Sequence, residues 1–133
     1  MSVPEGRFYG FPIYDVAGFK IGKYHHREEE IDPDEFDREP NRMDKILLSD
    51  ATEKYFPNAA GPTMRLATCM FTNSPDEHFI LDSLSDHPQV VVGAGFSGHG
   101  FKFSSVIGEI LADLAIDRGS EHPIEMFSLD RFD

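Results

Sequence analysis

Apolar residues in this chain fall into short alternating runs, one four-residue rhythm and one longer helical stripe. From Phe8 to Tyr14 and from Phe19 to His25, aromatic and β-branched residues stand among Gly10, Pro12, Gly18 and Gly22. That pattern predicts two strands paired as a hairpin. Residues Arg27 to Pro40 are acidic and punctuated by proline, and read as loop or a short helical turn. Asn41 then stands as an N-cap with Asp44 in the first turn, and Met43, Leu47, Ala51 and Tyr55 recur every four residues until Pro57. The spacing predicts a helix over Asn41–Phe56 whose other face is charged.

Met64 to Thr72 and Phe79 to Leu81 predict strands around an Asn73-Ser74-Pro75-Asp76 turn, and Val90 to Val92 a short buried strand. Phe103, Val106, Ile107, Ile110, Leu111 and Leu114 keep the 3-1-3-1-3 spacing of one buried helix face. Gly119 is placed to end that helix, over about Phe103 to Arg118, as its C′ residue. Neither an internal repeat nor a low-complexity segment interrupts residues 1–133, which read as a single unit. Strands, helix, strands, helix is an α+β order, not the alternation of a complete doubly wound fold.

With 133 residues, 40% of them apolar, the chain holds enough for a modest core. Twenty-four Asp and Glu against 12 Lys and Arg give a formal charge of −12. Such a surface repels nucleic acid and anionic membranes, so neither is expected as a partner. The acids are spread along the chain apart from Glu28-Glu29-Glu30, which reads as a solvated surface. One cysteine excludes an internal disulfide. With no signal-like start and no apolar run near about 18 residues, the expectation is a soluble cytoplasmic protein.

Chemistry concentrates in two clusters. Val90 to Phe103, VVVGAGFSGHGFKF, places Gly93, Gly95 and Gly98 in a G-x-G-x-x-G spacing after an apolar run. A dinucleotide fingerprint should open a helix at once and be followed about 20 residues later by an acidic residue ending a second strand. Here His99-Gly100-Phe101-Lys102 intervenes and too few residues follow, so independent NAD binding is disfavoured. The glycines instead suit sharp backbone turns or close approach to a planar ring. The second cluster runs from Cys69 through Met70-Phe71-Thr72-Asn73-Ser74-Pro75-Asp76-Glu77-His78-Phe79 to Asp82. On composition, Cys69 reads as a small buried hydrophobe in a strand. His25 and His26 invite a metal reading, but adjacent residues of a regular strand face opposite sides and no further ligand has a zinc-like spacing. No metal site is expected. His78, His87 and His122 read as exposed, Asp76 as a turn residue, and the Phe and Met residues at helical spacing as core.

Together these two clusters resemble the carboxy-terminal third of the monomeric sarcosine oxidase family, flavin-dependent enzymes that oxidise N-methyl and cyclic amino acids. The resemblance continues through Phe8-Tyr9-Gly10-Phe11-Pro12, Phe19 to His26, Ile31-Asp32-Pro33-Asp34 and Phe127-Ser128-Leu129-Asp130-Arg131, covering nearly the whole chain. It implies antiparallel strands of a substrate domain plus the last strand and helix of an FAD domain. The family's amino-terminal dinucleotide-binding segment has no counterpart in these residues. Function would then require a complementing FAD-binding segment, and apolar faces lacking their cover would favour self-association.

What the resemblance implies for individual residues is specific. Cys69 corresponds to the cysteine that links through sulfur to the 8α carbon of FAD, which needs a thiolate. Phe71 stands where tyrosine is frequent, beside Thr72 in the same motif. Gly95, Gly98, Gly100 and Phe101 belong to the flavin-facing turn, and Lys102 corresponds to a lysine that reaches the substrate carboxylate. His25 corresponds to the histidine facing the substrate amine, with His26 on the outer face. Lys20 corresponds to the lysine that contacts flavin N5 through water and promotes reaction with O2. It lies five residues before His25 where the family has four, which leaves Lys23, of matching strand parity, as the competing candidate. The implied reaction is oxidation of a small secondary or N-methyl amino acid to an imine with O2 as acceptor. The alternative is a non-enzymatic remnant or interaction module that keeps the fold without FAD.

Overall fold

A computed structural model describes residues 1–15 and 17–132. They form two compact units, Met1–Cys69 and Met70–Asp133. The architecture is α+β, as the element order predicts, with two small antiparallel sheets and two helices of 13 or more residues.

In the first unit, β1 (Ser2–Val3), β2 (Gly6–Phe11) and β3 (Lys20–Lys23) form an antiparallel sheet in that order. The predicted hairpin is β2 and β3, paired Phe8↔Lys23, Tyr9↔Gly22, Gly10↔Ile21 and Phe11↔Lys20. Its strands end earlier than expected, although β2 begins two residues sooner, at Gly6. β2 stops before Pro12, which has no N–H to give a ladder, and β3 stops at Lys23, after which the chain turns. Phe8 is the buried residue of this sheet. The ring of Tyr9 lies against Gly22, where a Cβ would stand 2.5 Å from the ring Cζ, so close approach is the reason for glycine there.

Helix α1 (Arg42–Tyr55) begins where local chemistry dictates. Asn41 Oδ1 accepts from the backbone N–H groups of Met43 at 2.8 Å and Asp44 at 3.3 Å, and Asp44 Oδ2 accepts from the Asn41 N–H at 2.8 Å. This capping box satisfies donors that the first turn leaves open. Ala51 and Thr52 are buried and Leu47 and Leu48 half-buried, but Met43 is exposed, against its expected place in the core. A strict four-residue repeat advances about 40° per step on a helix of 3.6 residues per turn, so its first member rotates away from the buried face.

The second unit carries β4 (Ile80–Ser83) and β5 (Val91–Ala94) as an antiparallel hairpin, then α2 (Ser104–Ile116). Phe79 and Leu81 pack on Ile107, Ile110 and Leu114, with Val91, Phe96, Val106, Leu111, Ile124 and Phe127 around them. Because β5 pairs antiparallel with β4, its glycines do not sit in the parallel βαβ unit that a dinucleotide fingerprint needs.

Three further expectations are corrected. Met64–Thr72 forms no strand; Thr68 instead donates its hydroxyl to the Arg38 carbonyl at 2.8 Å, and the first pairing beyond it is the single bridge Asn73↔Phe96. A strand exists only when a partner accepts its ladder, and alternation in sequence does not supply one. Phe103 precedes α2 in a short 3-10 turn, Phe101–Phe103, and is 39% exposed despite edge contact with Phe79. Finally, the left-handed position after α2 is taken by Arg118, φ 63°, not by Gly119.

Candidate functional site

Within the first unit, Lys20 lies at the start of β3, exposed, with Nζ 5.5 Å from the centre of the Phe11 ring. His25 lies beyond the strand, in a turn where His25, His26 and Glu28 all take left-handed backbone (φ 56°, 28° and 60°). Strand parity therefore ends at Lys23 and does not relate His25 to either lysine. Three non-glycine residues in that region within four positions are costly and need surrounding contacts to hold them. Those contacts are visible. The Tyr24 N–H donates to the Arg7 carbonyl at 2.8 Å, the Tyr24 and His25 rings meet edge-on at 4.1 Å, and the Arg7 guanidinium lies 4.5 Å over Tyr24. Nε2 of His25 is shielded from solvent.

His26, expected merely to face outward, is held by α1: its Nε2 is 2.7 Å from Asp44 Oδ1. Asp44 is kept below the ordinary carboxylate value chiefly by the Asn41 N–H it accepts, with His26 and Arg27 adding to the effect against a penalty from burial. Among the described residues, no group of three or more His, Cys, Asp or Glu is arranged to hold a metal ion.

Cys69, the last residue of this unit, is exposed, not the buried hydrophobe that composition suggests. Its neighbour is Tyr9, whose hydroxyl is pushed up by partial burial first and by the Cys69 sulfur it meets second. Sequence reasoning missed Tyr9. No local pattern signals it: Tyr9 and Cys69 stand 60 positions apart, and Cys69 lies in a segment without regular structure.

In the second unit the glycine cluster forms a tight turn between β5 and α2. Gly95 and Gly98 are left-handed, φ 60° and 74°, and so is Ser97 between them, φ 47°. Gly95 faces Ser74, whose Cβ would lie 3.1 Å from an added methyl, and at Gly100 an added Cβ would stand 2.7 Å from Phe96 Cβ. Ser97 is 1% exposed; its N–H donates to the Thr72 carbonyl at 3.1 Å, its hydroxyl donates to the Gly95 carbonyl at 3.0 Å and accepts from the Ser74 N–H at 3.3 Å. The turn is thus brought against Thr72, while Phe71 is half-buried.

At the mouth of α2, Phe101 is 96% exposed and Lys102 is exposed, with Nζ 5.2 Å from the Phe103 ring centre. No side chain caps the N-terminus of this 13-residue helix. The 3-10 turn supplies backbone acceptors instead, Gly100 for the Phe103 N–H at 2.9 Å and Phe101 for the Ser104 N–H, and the positive end of the helix dipole with an exposed lysine beside it favours negative charge here.

Other groups are structural. Asp76 accepts from the His78 N–H and from Arg131, which holds it far below the usual carboxylate range. Burial pushes the Asp82 carboxyl up, but bonds from the Leu129 N–H, Ser128 and the Ser83 N–H outweigh that and keep it low. His78 and His87 are exposed as expected, whereas His122 is half-buried, 3.8 Å from Glu109. Among the described residues no helix is long and apolar enough to cross a membrane.

Comparison with known proteins follows the same residues. The chain is 47% identical over 133 residues to a monomeric sarcosine oxidase of Bacillus sp. (strain NS-129), covering 98% of this chain and 34% of that protein. It is 41% identical over 138 residues to an N-methyl-L-tryptophan oxidase of Escherichia coli O139:H28, covering 98% and 35%. To a peroxisomal sarcosine oxidase of Homo sapiens it is 36% identical over 127 residues, covering 93% and 32%. The chain spans about a third of the length of these curated relatives. The model of the FAD dependent oxidoreductase family matches residues 2–114, most of the chain, and the chain belongs to that family.

Proposed function

We propose that this chain contributes the flavin-facing turn and the substrate-facing residues of an FAD-dependent oxidase acting on a small secondary or N-methyl amino acid such as sarcosine. The observation that carries the reading is the left-handed glycine turn, exposed at Gly98, that leads through Phe101–Phe103 into α2 with Lys102 exposed at its mouth. Relatives named for sarcosine and N-methyl-L-tryptophan oxidation support the substrate class.

The residues fit FAD on chemical grounds. Gly98 is exposed in a left-handed turn and carries no side chain, so a planar ring can approach the backbone there. The positive end of the α2 dipole, with Lys102 beside it, suits an anionic ring locus. Cys69 presents an accessible thiol for covalent attachment. Phe71, Thr72, Gly100 and Phe101 complete the set assigned to cofactor binding. When bound, FAD supplies the two-electron acceptor, with O2 as the final oxidant.

This chain's own residues then bind and orient. Lys102 is a compact cation with three donors and pairs with the substrate carboxylate, fixing which end of the amino acid is held. His25, held in a strained turn, is assigned to the substrate amine, where a ring nitrogen can donate or accept a hydrogen bond. Lys20, a cation at the edge of β3, is assigned to the reaction with O2. The reading requires a dinucleotide-binding segment, in the same polypeptide or a second one, and assigns the cell interior as the site of action.

The experiment supplies that segment and follows flavin absorbance before and after acid precipitation, with peroxide formation from sarcosine. Wild type should carry flavin into the pellet, and Cys69→Ser should release it to the supernatant. Flavin still attached to this polypeptide in Cys69→Ser would reject the linkage. Bound flavin with no peroxide from any N-methyl amino acid would reject the substrate class.

A further inference from the structure

Two motifs remain without a role in the reading above: Pro75-Asp76-Glu77-His78 and the carboxy-terminal Ser128-Leu129-Asp130-Arg131. They meet. The Arg131 guanidinium donates from Nε to Asp76 Oδ2 at 2.8 Å and from Nη2 to Asp76 Oδ1 at 3.1 Å, a forked pair, and also to the His78 carbonyl at 3.2 Å. Nη1 donates to the Ser128 carbonyl at 2.8 Å, fixing the strap to itself. A second carboxylate holds the same strap: Asp82 Oδ2 accepts from the Ser128 hydroxyl and the Leu129 N–H, each at 2.8 Å.

From Asp76 the contacts lead inward. The Ser74 hydroxyl, on a residue 5% exposed, lies 3.1 Å from Asp76 Oδ1 and 2.6 Å from the His78 carbonyl. The Ser74 N–H donates to the Ser97 hydroxyl, which in turn donates to the Gly95 carbonyl. The His99 ring Nδ1 then lies 3.0 Å from the Ser97 carbonyl. Ser97 is the left-handed, buried, non-glycine residue at the centre of the glycine turn. A serine in that conformation persists only where its surroundings over-determine it, and a turn with two flanking glycines has little stiffness of its own.

We propose that Arg131 is a positioning residue for the Gly95–Gly98 turn, acting through Asp76 and Ser74 on Ser97. The strap thereby preorganises the backbone that the proposed function assigns to cofactor approach, and the inference rests on that reading only for what the turn binds. Forked arginine–carboxylate geometry suits the task because it sets orientation as well as distance. It also explains why a lysine would serve poorly, since a point charge fixes one oxygen and not a plane.

The test is residue-resolved amide hydrogen exchange on the full 133-residue chain, without flavin. In Arg131→Gln, the Ser97 amide, bonded to the Thr72 carbonyl, should exchange roughly tenfold faster, while amides of Ile110 and Leu114 keep their protection. Arg131→Lys should restore part of the loss. Ser74→Ala should release the Ser97 amide in the same way but leave the Leu129 amide on Asp82 protected. Unchanged Ser97 exchange in either Arg131→Gln or Ser74→Ala overturns the relay, as does an even loss of protection across the unit in both. Should Arg131→Gln fail to fold, Ser74→Ala decides by the same criterion. Flavin absorbance of the complemented protein is read separately: an intact brace in a protein that never takes flavin rejects the proposed function and leaves the brace standing.

Discussion

Replacing Asp44 with alanine should loosen the first unit, because this one carboxylate serves both the start of α1 and the turn that carries His25. Three interactions are lost. The first is the reciprocal cap bond to the Asn41 N–H, about 0.5–1 kcal/mol. A negative charge in the first helical turn contributes about 0.3–1 kcal/mol more. The pair with His26 adds about 0.2–1 kcal/mol, a modest figure since the histidine is 38% exposed although Asp44 is 13% exposed. The sum centres near 2 kcal/mol, and with a urea slope of about 1 kcal/mol/M it moves the midpoint down by roughly 2 M. Asp44→Asn, which keeps an acceptor oxygen but not the charge, should lose about half of that. All four tyrosines lie in residues 1–69 and the chain has no tryptophan, so tyrosine fluorescence in urea follows this unit by itself. The pH dependence has a definite sign. Asp44 is held below its ordinary value of 3.8 in the folded state, so its contribution is fully present above that value and fades as pH falls through the lowered one. Wild type and Asp44→Ala should converge in strong acid. A midpoint shift under about 0.3 M at neutral pH, or a gap that does not narrow in acid, would refute the reasoning.

Leu81, 2% exposed at the centre of the second core, should cost about 2–5 kcal/mol when cut to alanine. Exchange protection of the Ile107 and Leu114 amides should fall together, and protection unchanged at both would contradict the packing. Glu5 bonds Lys54 and the Tyr55 hydroxyl, and these hold its carboxyl down at about 2 from an ordinary 4.5. Its contribution is therefore present above 4.5 and lost as pH falls through about 2, so Glu5→Gln and wild type should differ near neutrality and coincide at the acid limit, read by the same fluorescence. In the complemented enzyme, Lys102→Ala should raise KM for a carboxylate-bearing amine by about tenfold or more while leaving acid-stable flavin in place. An unchanged KM would remove Lys102 from the substrate site.

The elements written in short-range chemistry were legible. Asn41 and Asp44 announce the start of α1 because a cap needs partners only two and three residues away. The α2 stripe is legible because helical periodicity repeats within one turn, and Ile107, Ile110 and Leu114 are the buried residues it names. The β2–β3 hairpin shows itself through aromatic and β-branched residues between turn formers. The resemblance carried by the Cys69 and Gly93–Lys102 clusters likewise pointed to the FAD dependent oxidoreductase family, because a motif holds its chemistry in local order.

Tertiary structure decided the rest. Which residue turns left-handed after α2, Arg118 or Gly119, depends on where the helix stops, not on which residue prefers the conformation. Met64–Thr72 alternates like a strand yet has no ladder, since pairing is a property of two segments. Cys69 is exposed and meets Tyr9 from 60 positions away, a contact that no local pattern announces. His26 reaches Asp44 across 18 residues and Arg131 reaches Asp76 across 55. Patterns in sequence report what a residue does to its own turn of chain, whereas a fork of hydrogen bonds exists only after folding has closed the loop between its ends and its geometry has repaid that entropy.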